Sequence, residues 1–206
     1  MAAEDLPQIY IYTPPAFELI TFLPRLSAVL DTVDVACLRL ALAGHDEDAI
    51  SRAADACREA AHARDVAIVI SDHIKLVEPH GLDGVHLSDA ARSVRTARKA
   101  LGADAIVGAW CGASRHAAMS AGEAGADYVC LGPVGPTSLH NGALAERALF
   151  AWWSEVIEVP VVAEGALSAA LVADLAPVTD FLAFGEEIWT TPDPAATLKA
   201  LVAAIG

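Results

Sequence analysis

Basic residues are scarce in this 206-residue chain: 13 Lys plus Arg stand against 27 Asp plus Glu, a formal charge of −14. Such acidity repels nucleic-acid phosphates and anionic headgroups alike, so neither nucleic acid nor a membrane is an expected partner. Long apolar runs are missing too. Charge or proline interrupts each within about 10 residues, short of the ~20 that cross a bilayer, and no spanning helix is expected. The start, Met-Ala-Ala-Glu-Asp-Leu-Pro, has neither the basic residues nor the apolar stretch of a secretion signal, which points to the cytoplasm. Cysteine is limited to Cys37, Cys57, Cys111 and Cys130, far apart, three of them inside apolar strand-like runs where Cys behaves as a small hydrophobe. That spacing excludes a disulfide framework and a zinc knuckle. Linkers and low-complexity segments are also absent, so residues 1–206 are expected to form a single domain.

What the chain does contain is alternation. With 55% apolar and 19% charged residues it is able to bury a sizeable core. Eight short runs rich in Val, Ile, Leu or Ala predict strands over 8–14, 35–42, 66–72, 84–89, 105–111, 127–133, 159–165 and 180–186. Ala-rich amphipathic stretches predict helices over 16–31, 46–63, roughly 73–79, 89–101, 114–123, 143–157, 168–175 and 193–205. Eight β/α units make a closed (β/α)₈ TIM barrel the expected α/β architecture; about 26 residues per unit is small for that fold but sufficient. An open doubly wound sheet competes less well, because the first βα turn, Thr13-Pro14-Pro15-Ala16, lacks a glycine-rich phosphate loop. Ser114 and Ser168 are expected N-caps, Pro192 and Pro194 bracket the start of the last helix, and Gly102, Gly122 and Gly125 fall where helices should end.

Active sites of such barrels gather at the C-terminal ends of the strands. That rule nominates Thr13, Arg39, Asp72 with His73 and Lys75, His86 with Asp89, Trp110 with Cys111, Thr137 with Ser138 and His140, Glu164, and Glu186 with Glu187. Arg39, inside an otherwise apolar strand, requires an anion, either a ligand phosphate or a buried carboxylate. Asp72 suits a hard cation such as Mg²⁺ or an N-cap, and Asp89 the same pair of roles. His86 reads as a hydrogen-bonded core residue. The Gly- and Pro-rich segment 132–142, with its hydroxyls, imidazole and amide, has the makings of a ligand lid. Of Trp152 and Trp153, at least one is expected to pack on the barrel wall.

DGVHLSD after ISD, then GADYVCLGPVGPTS, then PVVAEGALS, resemble in their order the thiamine phosphate synthase and thiazole tautomerase superfamily of TIM barrels, from about residue 34 to the end. The resemblance is strongest at 84–89 and 125–137. It implies joining an aminopyrimidine methyl pyrophosphate to a thiazole phosphate with Mg²⁺, releasing pyrophosphate, in the thiamine biosynthetic pathway. Carried over by position, it implies Arg39 and Asp72 as catalytic residues and Asp72 as a Mg²⁺ ligand, with Asp89, two residues before the family's second ligand position, as the substitute second ligand. Arg39, Ser71, Thr137, His140 and Gly165 would bind the substrate. A small phosphorylated substrate and a homodimer are the expected partners.

The sequence departs from the family pattern at several of these positions. The strand-two Gln-x-Arg-Glu-Lys survives only as Arg39, and Ala41 stands at its lysine. Ser71-Asp72 replaces Asn-Asp, and Ala91 stands at the second Mg²⁺ ligand, two residues past Asp89. Trp110 replaces a serine, His140 a lysine, and Glu164, Glu186 and Glu187 add carboxylates beside the phosphate turn. Two alternatives follow: a non-catalytic or repurposed barrel binding another small molecule or a protein, and a heterocycle isomerase of the tautomerase type using His73, His140 or Glu164 as acid or base. A positive mouth would favour the synthase chemistry, an acidic or Trp110-plugged mouth the repurposed barrel.

Overall fold

Each of the eight apolar runs forms a strand: β1 (Gln8–Tyr12), β2 (Val35–Leu40), β3 (Ala67–Ser71), β4 (Gly84–Leu87), β5 (Ile106–Trp110), β6 (Tyr128–Leu131), β7 (Val161–Glu164) and β8 (Phe181–Phe184). The structure is a computed structural model that describes residues 6–44, 46–137 and 143–206. Every strand pairs in parallel with its sequence neighbour and β8 returns to β1, closing the expected barrel. Outside it lie α1 (Leu19–Leu30), α2 (Glu47–His62), α3 (Val94–Leu101), α4 (Arg115–Ala124), α5 (Arg147–Val156), α6 (Ala169–Leu175), the single-turn α7 (Glu186–Trp189) and α8 (Pro194–Val202).

Side chains alternate between the two faces of a strand, and the barrel sorts them accordingly. Ile9, Ile11, Leu38, Leu40, Ile68, Ile70, Val85, Val129, Leu182 and Phe184 point outward into the layer shared with the helices. Tyr10, Cys37, Val69, Tyr128, Cys130, Val162 and Ala183 fill the interior. Two glycines make room for interior rings. A Cβ on Gly108 would sit 2.0 Å from the Tyr128 ring, and one on Gly185 would sit 1.9 Å from Tyr12.

Three aspartates at the N-terminal end fix the register. Asp83, Asp127 and Asp180, just before β4, β6 and β8, accept the backbone N–H of Ile68, Val107 and Val161 at 2.7 Å each. Each carboxylate thus ties a strand to the one before it, a use of acidic residues that the charge count alone does not reveal.

Several expected boundaries move, each for a local reason. The predicted third helix shrinks to a 3₁₀ turn at Ile74–Leu76, in a stretch too short for more before Pro79. The helix predicted from residue 89 starts at Val94, because Ala90 has φ 57°, a left-handed conformation no α-helix accommodates. Gly122 lies inside α4; Gly125, with φ 101°, ends it. Ser114 and Ser168 cap α4 and α6 as expected, accepting from the N–H groups of Ala117 and Leu171, while Gly102 closes α3. Pro194 opens α8, with Asp193 as its cap. Trp153 is buried against the barrel and Trp152 lies beneath the Arg115 guanidinium, 3.9 Å from the ring centroid. All four cysteines are free and buried.

Candidate active site

Arg39 enters the barrel from β2 and is buried, so its charge requires partners that replace water. Its Nη2 donates to Glu164 Oε1 of β7 at 2.7 Å, with the two side chains 7% and 12% exposed. Its Nη1 lies 2.9 Å from His86 Nε2 on β4. A guanidinium only donates, so His86 Nε2 accepts, and the imidazole carries its proton on Nδ1. That nitrogen then donates to the Tyr128 hydroxyl at 2.9 Å, which stands 2.8 Å from the Tyr10 hydroxyl. On the other side the Cys130 thiol donates to Glu164 Oε2 at 3.1 Å. A polar chain of six residues therefore crosses the interior, and Arg39 also faces the Tyr12 ring at 4.8 Å.

The titration behaviour follows from this packing. Burial, reinforced by the Arg39 charge, holds the His86 pKa well below the ordinary imidazole value, so the ring is neutral. Burial works against the Arg39 charge, but Glu164 prevails and keeps the guanidinium protonated. Of the two anions the sequence admits for Arg39, the structure supplies the buried carboxylate.

A cavity of about 360 Å³ opens at the C-terminal end of the barrel, walled by Tyr12, Trp110, Pro133, Pro136, Thr137, Glu164, Gly165, Ala166, Glu186, Glu187 and Thr190. Tyr12 and Trp110 supply flat aromatic surface; three carboxylates supply charge. Among the described residues lining it there is no Lys or Arg. The loops after β7 and β8 each turn a backbone N–H group toward Glu187. There Glu187 Oε1 accepts from Leu167 N at 3.3 Å, and Oε2 accepts from Gly185 N at 3.2 Å. Burial raises the Glu187 pKa, while these amides pull it back toward the charged form.

The β3–β4 side of the rim is different. Asp72, exposed and at φ 60°, accepts the Ser88 N–H on Oδ1 at 2.8 Å, tying the two loops together. It does not cap the 3₁₀ turn that follows, since His73 stands at that position without a side-chain bond. Asp89 is occupied by Ser93, with Oδ2 accepting from Oγ at 2.6 Å and Oδ1 from N at 3.3 Å. Asp72 thus retains one oxygen suited to a hard cation, whereas Asp89 would have to release Ser93 to become a ligand. Among the described residues no group of three or more His, Cys, Asp or Glu side chains is placed to hold a metal ion.

Of the residues nominated from the sequence, Trp110, Thr137, Glu164, Gly165, Glu186 and Glu187 meet in one cavity. Arg39 lies behind Glu164, and Ser71, Asp72 and Asp89 lie on the other side of the mouth, outside that lining. His140 and Ser138 fall outside the described residues. Sequence reasoning passed over Tyr12, Tyr10, Tyr128 and Cys130. Their signal was polar or aromatic residues at alternate positions of apolar strands, the inward phase of the pleat.

The sequence model of the family described as thiamine monophosphate synthase matches residues 9–185. A thiamine-phosphate synthase of Rhodospirillum centenum is 42% identical over 194 residues, covering 93% of this chain and 94% of its own. One from Hyphomonas neptunium is 38% identical over 201 residues, covering 94% and 91%. A solved thiamine phosphate pyrophosphorylase from Pyrococcus furiosus superposes with a TM-score of 0.81 at 19% identity, over 96% of this chain and 95% of that one, a likeness of fold. With a barrel of eight units, a match that runs from within the first strand to past the end of the eighth, and relatives this similar end to end, the chain belongs to the thiamine monophosphate synthase family.

Proposed function

We propose that the protein acts in thiamine biosynthesis as a thiamine phosphate synthase-like transferase, joining the methylene carbon of a hydroxymethylpyrimidine pyrophosphate to the ring nitrogen of a thiazole phosphate. The observation that carries this is the 42% identity to a thiamine-phosphate synthase over nearly the whole of both chains. In the proposed reaction pyrophosphate departs first and the thiazole nitrogen captures the resulting cation, so negative charge accumulates on the leaving group and positive charge on the rings. Tyr12 and Trp110 offer planar walls to the two heterocycles, and Thr137 and the Gly165 loop offer polar contacts beside them. Ser71 and Asp72, on the opposite rim, are assigned to the pyrophosphate end. Arg39 acts through Glu164, as a positioning residue. His140 is assigned a substrate contact from the lid on sequence alone. Asp72 would hold a Mg²⁺ ion through its outward oxygen, and that ion would neutralise the departing pyrophosphate. Asp89 is a ligand only if it leaves Ser93. The same reading places the protein in the cytoplasm as a homodimer, the latter checked by light scattering.

Purified protein given the pyrimidine pyrophosphate, Mg²⁺ and the thiazole, tested as phosphate and as free alcohol, should release pyrophosphate with at least one acceptor. Asp72→Ala should remove most of that rate. No release from either acceptor, under conditions where a relative turns over, ends this reading. It would leave the repurposed barrel, which the acidic lining of the cavity favours.

A further inference from the structure

Glu164 differs from the other carboxylates of the cavity in how it is held. Glu186 is exposed, and Glu187 gives both oxygens to backbone amides. Glu164 is 12% exposed, and Arg39 and the Cys130 thiol fix one oxygen each, at 2.7 and 3.1 Å. A carboxylate offers about four lone-pair sites, so about two remain, and Glu164 lines the cavity whereas Arg39 does not. Closure of the barrel also sets it between the two rings: in the strand order β5-β6-β7-β8-β1, Trp110 and Tyr12 stand two strands to either side. Gly132 lets Trp110 reach toward β7, since a Cβ there would lie 2.9 Å from the Trp110 Cη2 and closer still to the Glu164 carbonyl oxygen.

A rigidly held anion between two aromatic faces suits a flat ring that carries N–H donors and gains positive charge. Of the two heterocycles in the proposed reaction, the aminopyrimidine has both properties. Its C–O bond to pyrophosphate breaks, pyrophosphate leaves with the electron pair, and the methylene carbon shares its positive charge through the ring with the amino nitrogen. A hydrogen bond from that amino group to a carboxylate therefore tightens as the bond breaks, the condition for lowering a barrier rather than only binding substrate. The Arg39 charge opposes the cation, but it lies behind Glu164, which leaves the carboxylate the nearer of the pair.

We propose that Glu164 is a catalytic residue that accepts the amino N–H of the aminopyrimidine and stabilises the positive charge that ring acquires as pyrophosphate departs. The inference rests on the transferase reading and adds a contact that reading leaves open. No proton moves to Glu164. The amino group keeps its hydrogens, and the thiazole nitrogen ends the cation by supplying the electron pair of the new C–N bond, with the phosphate of the thiazole unchanged.

Calorimetric titration of the full chain reads the contact without turnover. The probes are the aminopyrimidine methyl alcohol and its analogue with hydrogen in place of the amino group. The wild type should prefer the amino compound at least tenfold, the scale of a hydrogen bond to a charged group. Glu164→Gln must keep its carbonyl oxygen on Arg39, which only donates, so an NH₂ group replaces Oε2 and the preference should fall at least threefold. Glu164→Asp keeps the counter-charge that Arg39 requires and so guards against a folding defect in the first variant. It draws the carboxylate back from the cavity, and the same fall is expected. A smaller preference in the wild type, or a smaller fall in a folded variant, overturns the proposal. In single turnover, Glu164→Gln should slow pyrophosphate release from the saturated enzyme at least tenfold, and a smaller loss overturns the catalytic role. Amino preference without release from any acceptor would uphold the contact while refuting the transferase; release without the preference would do the reverse.

Discussion

The two faces of the same eight strands solve burial in opposite ways. The outer face is a continuous apolar layer in which Leu38, Leu40, Ile68 and Ile70 pack against helices and require nothing but shape. The inner face holds Tyr10, Arg39, His86, Tyr128, Cys130 and Glu164, each hydrogen-bonded to another of the six, with the buried Arg39 Nε left without a partner. Loss of one member therefore means different things on the two faces. Outside it leaves a gap; inside it leaves an orphaned charge or donor.

Glu164→Ala is the sharpest way to expose this difference. It strands a buried guanidinium and should destabilise the protein by about 3–5 kcal/mol in denaturant titration. Replacing Arg39 and Glu164 together by Met and Leu should recover most of that loss, because a buried pair exchanged for apolar side chains of similar volume is commonly near neutral. Leu38→Ala on the outer face should cost about 2–5 kcal/mol, with no second substitution of that kind to rescue it. A double variant as unstable as Glu164→Ala alone would refute the account of the inner face as a mutually hydrogen-bonded chain.

Gly108→Ala is expected to cost less, about 1–3 kcal/mol, by driving a methyl group into the Tyr128 ring and displacing it from His86. Near-ultraviolet circular dichroism should register the moved tyrosine, and an unchanged spectrum with unchanged stability would mean that the ring has room to spare. The smallest effect is one of pH. His86 stays neutral in the folded protein, whereas in the unfolded chain it titrates near its ordinary value of about 6.5. Below that pH the unfolded chain takes up a proton the folded one refuses. The contribution is therefore present above about pH 6.5 and lost on acidification, by about 1.4 kcal/mol per pH unit, until the depressed folded pKa is reached. His86→Gln keeps an acceptor for Arg39 and should flatten that part of the profile; an unaltered slope would assign it to other groups.

The outer layer was legible because period-two alternation of large apolar residues is local and repeats eight times. Arg39 stood out for the same reason, as a charge in an apolar run, and its need for an anion was deducible. Which anion was not, because Glu164 lies 125 positions away and meets Arg39 only when β7 and β2 face each other across the closed barrel. Glu187 shows the limit more plainly. From sequence it is one more carboxylate at the barrel mouth, yet in the structure its two oxygens accept from the Leu167 and Gly185 amides of two different loops. Asp72 and Asp89 looked alike as acids at strand ends, but one reaches across to the Ser88 amide and the other closes on Ser93.

Eight repeats of a strand and a crossover, written in local periodicity, determined the barrel and marked the strand ends at which candidate site residues gather. Only closure decided their chemistry. A carboxylate's role depends on which donors lie within about 3 Å of it, and in a barrel those donors arrive from strands that are remote in sequence.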